Sequence, residues 1–219
     1  MKTMRCEAAE LLDRDHVRVA FSGVALTTGY GFFGDKTGMD QWYFQFKNCN
    51  HTKDQMPWDW SYDPQMVVIN LGTNDSKDGK RPTAAEFAVT YAKFIRAIRA
   101  HLPKAKIVAM RPFGGFEAGG IRQAVASLAV TDSHIHYVDT EGWLEKADFV
   151  DGIHPSVTGH ALGGQDPSGR IPAVPGGRRG RLRALRRPGH TIAGGNTFAT
   201  SAPGRRAGGR VRLSDRKAR

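Results

Sequence analysis

Two short stretches carry residue types and spacings that can do chemistry: Asp151-Gly-Ile-His154-Pro155 and Val67-Val-Ile-Asn-Leu-Gly72-Thr-Asn74-Asp75. A carboxylate three residues ahead of a histidine can accept the Nδ1–H bond and fix the imidazole tautomer. The other ring nitrogen is then left to take a proton from a nucleophile and return it to a leaving group. The second stretch is an apolar run ending in Gly-x-Asn-Asp, which places an amide N–H₂ where it can point at a developing oxyanion. Gly23 ends another apolar run and is a second candidate donor, through its backbone N–H, because a glycine lets a substrate come close to the main chain. His154 as base, Asp151 as its orienting carboxylate, and Asn74 with Gly23 as anion-stabilising donors are three of the four parts of serine-type acyl transfer. Each has a plainer reading. A histidine is more often structural, and Asn74 could be a turn residue with Asp75 closing an Asx turn.

The fourth part, a serine on a sharp strand-to-helix turn, has no candidate. Ser22 sits beside Gly23, but no Gly-x-Ser-x-Gly surrounds it, and it is set aside as a nucleophile. Ser156 reads as a helix cap, and His160 as a structural residue.

The elements that must position these residues read as an α/β chain. Residues 4–12 have helical periodicity, Val17–Phe21 alternates as a strand, and Gln65–Leu71 is apolar on both faces, as in a central parallel strand covered by helices. Thr83 with Glu86 forms a capping-box pattern ahead of a helix whose stripe is Phe87, Tyr91, Phe94, Ile95, Ile98 and Leu102, stopped by Pro103. Lys106–Met110 is the next strand, Ala118–Val130 the next helix, and His136–Asp139 a short third strand. Such alternation implies a parallel sheet with right-handed crossovers. Between the first two strands, residues 24–64 form a long irregular segment rich in glycine and aromatics, of the kind that is usually functional.

The formal charge of +11 on 219 residues invites a nucleic-acid partner, but it is unevenly placed. Residues 161–219 hold 14 of the 32 Lys and Arg against Asp166 and Asp215 alone, a net of +12, so residues 1–160 are near neutral at −1. The tail, with 12 Gly and 5 Pro, buries too little apolar surface to offset ordering entropy and reads as disordered. Phe198 is its only aromatic, which weakens a nucleic-acid reading based on stacking between basic residues. Its abrupt Arg-Gly-Pro-Ala composition is also what GC-rich DNA yields in a wrong reading frame. Cys6 and Cys49 lack metal or redox spacing. No stretch reaches the roughly 20 apolar residues needed to span a bilayer, and the first residues lack the apolar core of a signal peptide.

Taken in order, Ser22-Gly23-Val-Ala-Leu-Thr-Thr-Gly-Tyr-Gly31, Val68-Ile-Asn-Leu-Gly-Thr-Asn-Asp75 and Asp151-x-x-His154-Pro155 resemble the SGNH (GDSL-type) hydrolase family. The similarity is to its carbohydrate-esterase, acetylxylan-esterase-like branch, and runs over residues 4–160. The resemblance implies a three-layer, flavodoxin-like parallel sheet with flanking helices. It further implies His154 and Asp151 as base and orienting carboxylate, Gly23 and Asn74 as oxyanion hole, and no metal or cofactor. Substrates would be acylated carbohydrates or small esters, and the family's habit is secretion.

The family's Gly-Asp-Ser lies on a strand ahead of the helix at which this chain opens. The only Gly-Asp here is Gly34-Asp35, followed by Lys36. After His160 the run Ala-Leu-Gly-Gly-Gln-Asp-Pro cannot sustain the family's long closing helix, since Gly costs about 1 and Pro about 3 kcal/mol in a helix interior. The expectation is therefore a partial SGNH ester-hydrolase domain over residues 1–160, incomplete at both ends and inactive for want of its nucleophile. Two alternatives remain open: a non-catalytic carbohydrate-binding remnant using Trp42, Tyr43, Trp58 and Trp60, and nucleic-acid binding through the tail.

Overall fold

A computed structural model describes residues 15–32, 36–46, 56–58 and 60–165. The expected helix over 4–12, both cysteines, Gly34-Asp35 and the basic tail beyond residue 165 lie outside the described residues.

Among the described residues three parallel strands form the sheet: β3 (Met66–Ile69), β4 (Lys106–Met110) and β5 (Ile135–Val138), in the order β3-β4-β5. Val68 pairs with Val108 and Ala109 with Tyr137. Helix α2 (Ala84–His101) crosses from β3 to β4, and α3 (Ala118–Ala129) from β4 to β5. Strand periodicity of two divides the sheet residues between its faces. Val67, Ile69, Ile107, Ala109 and Ile135 pack with Phe87, Tyr91, Ile95 and Ile98 of α2 and with Ile121 and Val125 of α3. Val108, Met110 and Val138 turn the other way and pack with Trp143, Met66 and Phe113. Truncating one of the fully buried aliphatic residues to alanine costs about 2–5 kcal/mol.

α2 begins where its sequence says it should. Thr83 accepts from the Glu86 amide (3.2 Å) while the Glu86 carboxylate accepts from the Thr83 amide (2.8 Å), a reciprocal cap. At its other end Arg99 bonds the Leu102 and Ala105 carbonyls and forms a 2.7 Å ion pair with Asp132, tying the exits of α2 and α3 to the start of β4.

Three expectations change. Residues 17–21 are not a strand; Val19 and Phe21 pack on the core without a backbone ladder, Phe21 edge-on to Trp42 at 4.9 Å. β3 is shorter than expected and is an edge strand among the described residues, leaving Val68 38 % exposed. The segment 24–64 is not wholly irregular. It contains α1 (Met39–Trp42) and a two-residue antiparallel pair, β1 (Gln45–Phe46) with β2 (Met56–Pro57).

Thr83→Ala removes one half of the reciprocal cap. It should lower stability by about 1 kcal/mol and the melting temperature by roughly 2–4 °C, measured by circular dichroism.

Candidate active site

After β5 the chain turns through a short 3-10 segment, Lys146–Asp148, and enters a hairpin closed by a bridge between Phe149 and Pro155. The Val150 amide donates to the His154 carbonyl (2.8 Å) and the Ser156 amide to the Asp148 carbonyl (2.7 Å). Gly152 takes the left-handed conformation at the tip (φ 84°). Asp151 organises the loop from within. Its Oδ1 accepts from the amides of Ile153 (3.0 Å) and His154 (2.8 Å), and its Oδ2 meets His154 Nδ1 at 2.7 Å. These bonds, led by the His154 amide and then its imidazole, hold the Asp151 carboxyl down to about 2. An ionised carboxylate only accepts, so Nδ1 carries a proton and Nε2 is the ring nitrogen left outside the pair. The pair lies in solvent, with side chains 76 % and 53 % exposed. Its contribution is therefore directional rather than a strong ionic attraction.

Ser156 acts as the cap expected of it, accepting from the Gly159 amide (3.1 Å) at the start of α4 (Val157–Gly163). This helix continues only three residues past His160 and stops at Gly163, within the Ala-Leu-Gly-Gly run. Gly159 lies so close to the Asp148 carbonyl that a β-carbon there would overlap it. α4 and the His154 hairpin are thereby pressed together.

Asn74 lies in the 3-10 turn Thr73–Gly79, which begins four residues after β3 ends at Ile69. Its Nδ2 donates to the Val24 carbonyl at 3.0 Å, which places it beside Gly23, itself left-handed at φ 75°. That bond uses one of the two amide hydrogens and leaves the second outside it. Asp75 does not close an Asx turn. It is fully buried and reaches back some fifty residues, Oδ2 accepting from the Leu26 amide and Oδ1 from the Thr27 amide, each at 2.9 Å. Burial pushes its pKa up, and the two amides oppose that shift. Sequence reasoning missed this role. Its signals were a carboxylate directly after a buried strand and a glycine-rich loop with amides left to satisfy.

The structure thus assembles the candidates as two pairs, Asp151 with His154 and Asn74 with the Gly23–Val24 segment. Both follow the carboxyl side of the parallel strands, where open α/β sheets bind ligands. Ser22 joins neither. Among the described residues no serine is bonded to His154: Ser76 donates to Glu117, Ser127 to the Ala124 carbonyl, and Ser156 caps α4. No group of His, Cys, Asp or Glu that could hold a metal occurs among the described residues, and no described helix is long and apolar enough to cross a membrane.

Three of the four aromatics named for sugar stacking make packing contacts. Trp42 is buried, and Tyr43 packs edge-on against Phe94. Trp60 stacks on His101 at 4.0 Å. His101 ends α2 ahead of the amino end of β4, the side of the sheet opposite Asn74. These side chains serve packing there.

Residues 8–162 match the GDSL-like Lipase/Acylhydrolase family. The chain belongs to that family. It is 34% identical over 90 residues to the cellulase/esterase CelE of Acetivibrio thermocellus, a match spanning 41% of this chain and 10% of that protein. Its fold is similar to a family two carbohydrate esterase from Clostridium thermocellum solved in complex with cellohexaose, at TM-score 0.60 and 26% identity over 74% of this chain and 50% of that one. It is likewise similar to a carbohydrate esterase family 2 enzyme with a carbohydrate-binding domain from Corynascus, at TM-score 0.58 and 25% identity, covering 74% and 53%. The chain spans about half the length of these solved relatives and a tenth of the curated one. The parallel α/β sheet with flanking helices is the hydrolase fold that these relatives share.

Two outcomes follow for the hairpin. Gly159→Ala should separate α4 from the Asp148 carbonyl and weaken the Asp151–His154 contact, seen as loss of protection of the His154 and Ser156 amides in hydrogen exchange. The second concerns pH. Asp151 is lowered in the folded chain, so its contribution to the loop is complete above its unfolded value, about 3.9, and fades as pH falls through about 2. Carbon NMR of the Asp151 carboxyl should place its midpoint near 2, and His154→Ala should move that midpoint upward.

Proposed function

We propose that this chain is an SGNH-type ester hydrolase domain directed at acylated carbohydrate, in which His154 is the general base, Asp151 orients it, and Asn74 with the Gly23 amide stabilises the oxyanion. The observation that carries the reading is the 2.7 Å contact between Asp151 Oδ2 and His154 Nδ1, which leaves Nε2 as a base. The 3.0 Å bond that sets Asn74 against the Gly23–Val24 segment supports the second half. The carbohydrate esterases to which the chain is similar support the substrate class.

Among the described residues the nucleophile has no candidate. With no serine bonded to His154 among the described residues, these residues leave water as the group for the base to activate. Loss of the triad in serine hydrolases leaves about 10³–10⁴-fold over water, and only in a well-formed site. The chain should therefore hydrolyse 4-nitrophenyl acetate, and release acetate from acetylated xylo-oligosaccharides, little faster than a surface histidine. Adding a segment that carries Gly-Asp-Ser ahead of residue 1 should raise the rate by orders of magnitude, and His154→Ala should abolish the gain. Robust turnover by the unmodified chain that a fluorophosphonate stops would overturn the missing-nucleophile account and return Ser22 to consideration.

A second reading, carbohydrate binding without turnover, is favoured by the cellohexaose bound to the Clostridium thermocellum esterase. It would rest on the Asn74 and His154 side of the sheet, since Trp42, Tyr43 and Trp60 are occupied in packing. Titration with cellohexaose should then give saturable chemical-shift changes at the Asn74 amide. An unchanged spectrum at millimolar sugar excludes this reading.

A further inference from the structure

Glu117 breaks two local rules at once. It ends the loop between β4 and α3, and its backbone is left-handed (φ 54°, ψ 16°), a conformation uncommon for a residue with a side chain. It also occupies the N-cap of α3, where Ser, Thr, Asp or Asn would serve the free amides, yet its side chain makes no capping bond. Such strain persists only where the surroundings hold it, and it concentrates at functional sites. Here the surroundings are the turn that carries Asn74.

Gly72, three residues beyond the end of β3, is itself left-handed (φ 125°). A β-carbon on it would lie 3.2 Å from Glu117 Cβ and 3.4 Å from the Phe116 carbonyl oxygen. The absence of a side chain at Gly72 lets the two loops meet. The Glu117 carboxylate then reaches over the same turn, where Ser76 Oγ donates to its Oε1 at 3.4 Å. It is partly buried there beside the Asp75 carboxylate. Burial first and Asp75 second push its pKa up, against the Ser76 hydroxyl and Arg81. Asp75 thus anchors the Asn74 turn from the side of Leu26 and Thr27, and Glu117 braces it from the side of β4.

We propose that Glu117 is a positioning residue for Asn74, holding the 73–79 turn so that the amide hydrogen not bonded to Val24 is fixed in direction. This rests on Asn74 as the oxyanion donor, and it deepens that reading by adding the residue that makes the donor rigid. The helix gains nothing from Glu117 as a cap, so the strain is explained by the turn it supports.

The test is proton–nitrogen NMR of the Asn74 side-chain amide in the full chain, assigned by its loss in Asn74→Asp, together with thermal melts. In the unsubstituted chain the two amide protons should be well separated and slow to exchange. Glu117→Ala should bring them together and speed exchange by at least about tenfold. Glu117→Gln, which keeps the length and an acceptor for Ser76, should restore the original spectrum. Glu117→Gly should loosen the Asn74 amide as alanine does while holding or raising the melting temperature, because glycine relieves the left-handed strain. An Asn74 amide unmoved by Glu117→Ala would overturn the proposal. So would losses in Glu117→Ala and Glu117→Gly that merely track a lowered melting temperature, the mark of a structural role. None of these readouts uses turnover, so the hydrolytic reading can fail while the brace stands, and the reverse.

Discussion

The buried carboxylate of Asp75 is the constraint on which the arrangement around Asn74 depends. A carboxylate removed from water must find donors or lose its charge. Asp75 finds them in the Leu26 and Thr27 amides, which no sheet or helix satisfies. One side chain thereby pins a glycine-rich loop to the end of β3. The bond from Asn74 to the Val24 carbonyl and the close approach of the Gly31 backbone to Gly23 and Ala25 fall within the same clamp. Without it the Gly23 amide and the Asn74 side chain would have no reason to share a neighbourhood.

The histidine side of the site is built on a different principle. Asp151 and His154 stand three residues apart in one hairpin and are aligned by bonds that are nearly all local. Their exposure makes the pair electrostatically weak and geometrically specific. Its link to the rest of the molecule runs through the Asp148 carbonyl, which receives the Ser156 amide and lies against Gly159. The Asn74 side of the proposed site therefore depends on long-range burial, whereas the His154 side depends on a loop that largely folds itself.

That difference explains how much was legible in the sequence. The Asp151–His154 contact could be read from spacing because its geometry is local. The α2 cap and stripe and the limits of β4 were legible for the same reason, since helical and strand periods are written residue by residue. Asp75 was misread because its partners lie about fifty positions away and are backbone amides, which leave no mark in a side-chain pattern. Val17–Phe21 alternates like a strand, but without a neighbouring ladder its apolar residues simply pack. The aromatics of the 24–64 segment suggested a sugar platform because composition cannot say which end of a sheet a loop will cover. Glu117 was invisible because its significance lies in a backbone angle and in the bare Cα of Gly72.

The proposed site holds a base, its orienting carboxylate and an oxyanion corner, with no serine bonded to that base among the described residues. Intact-mass spectrometry after rapid mixing with an activated acetyl ester tests it most directly, because an acyl-enzyme carries the mass of its acyl group. The quenched chain should keep its original mass, in the presence and absence of the His154 side chain alike. A stoichiometric acetyl adduct on a serine of this chain, lost when His154 is replaced by alanine, would contradict it.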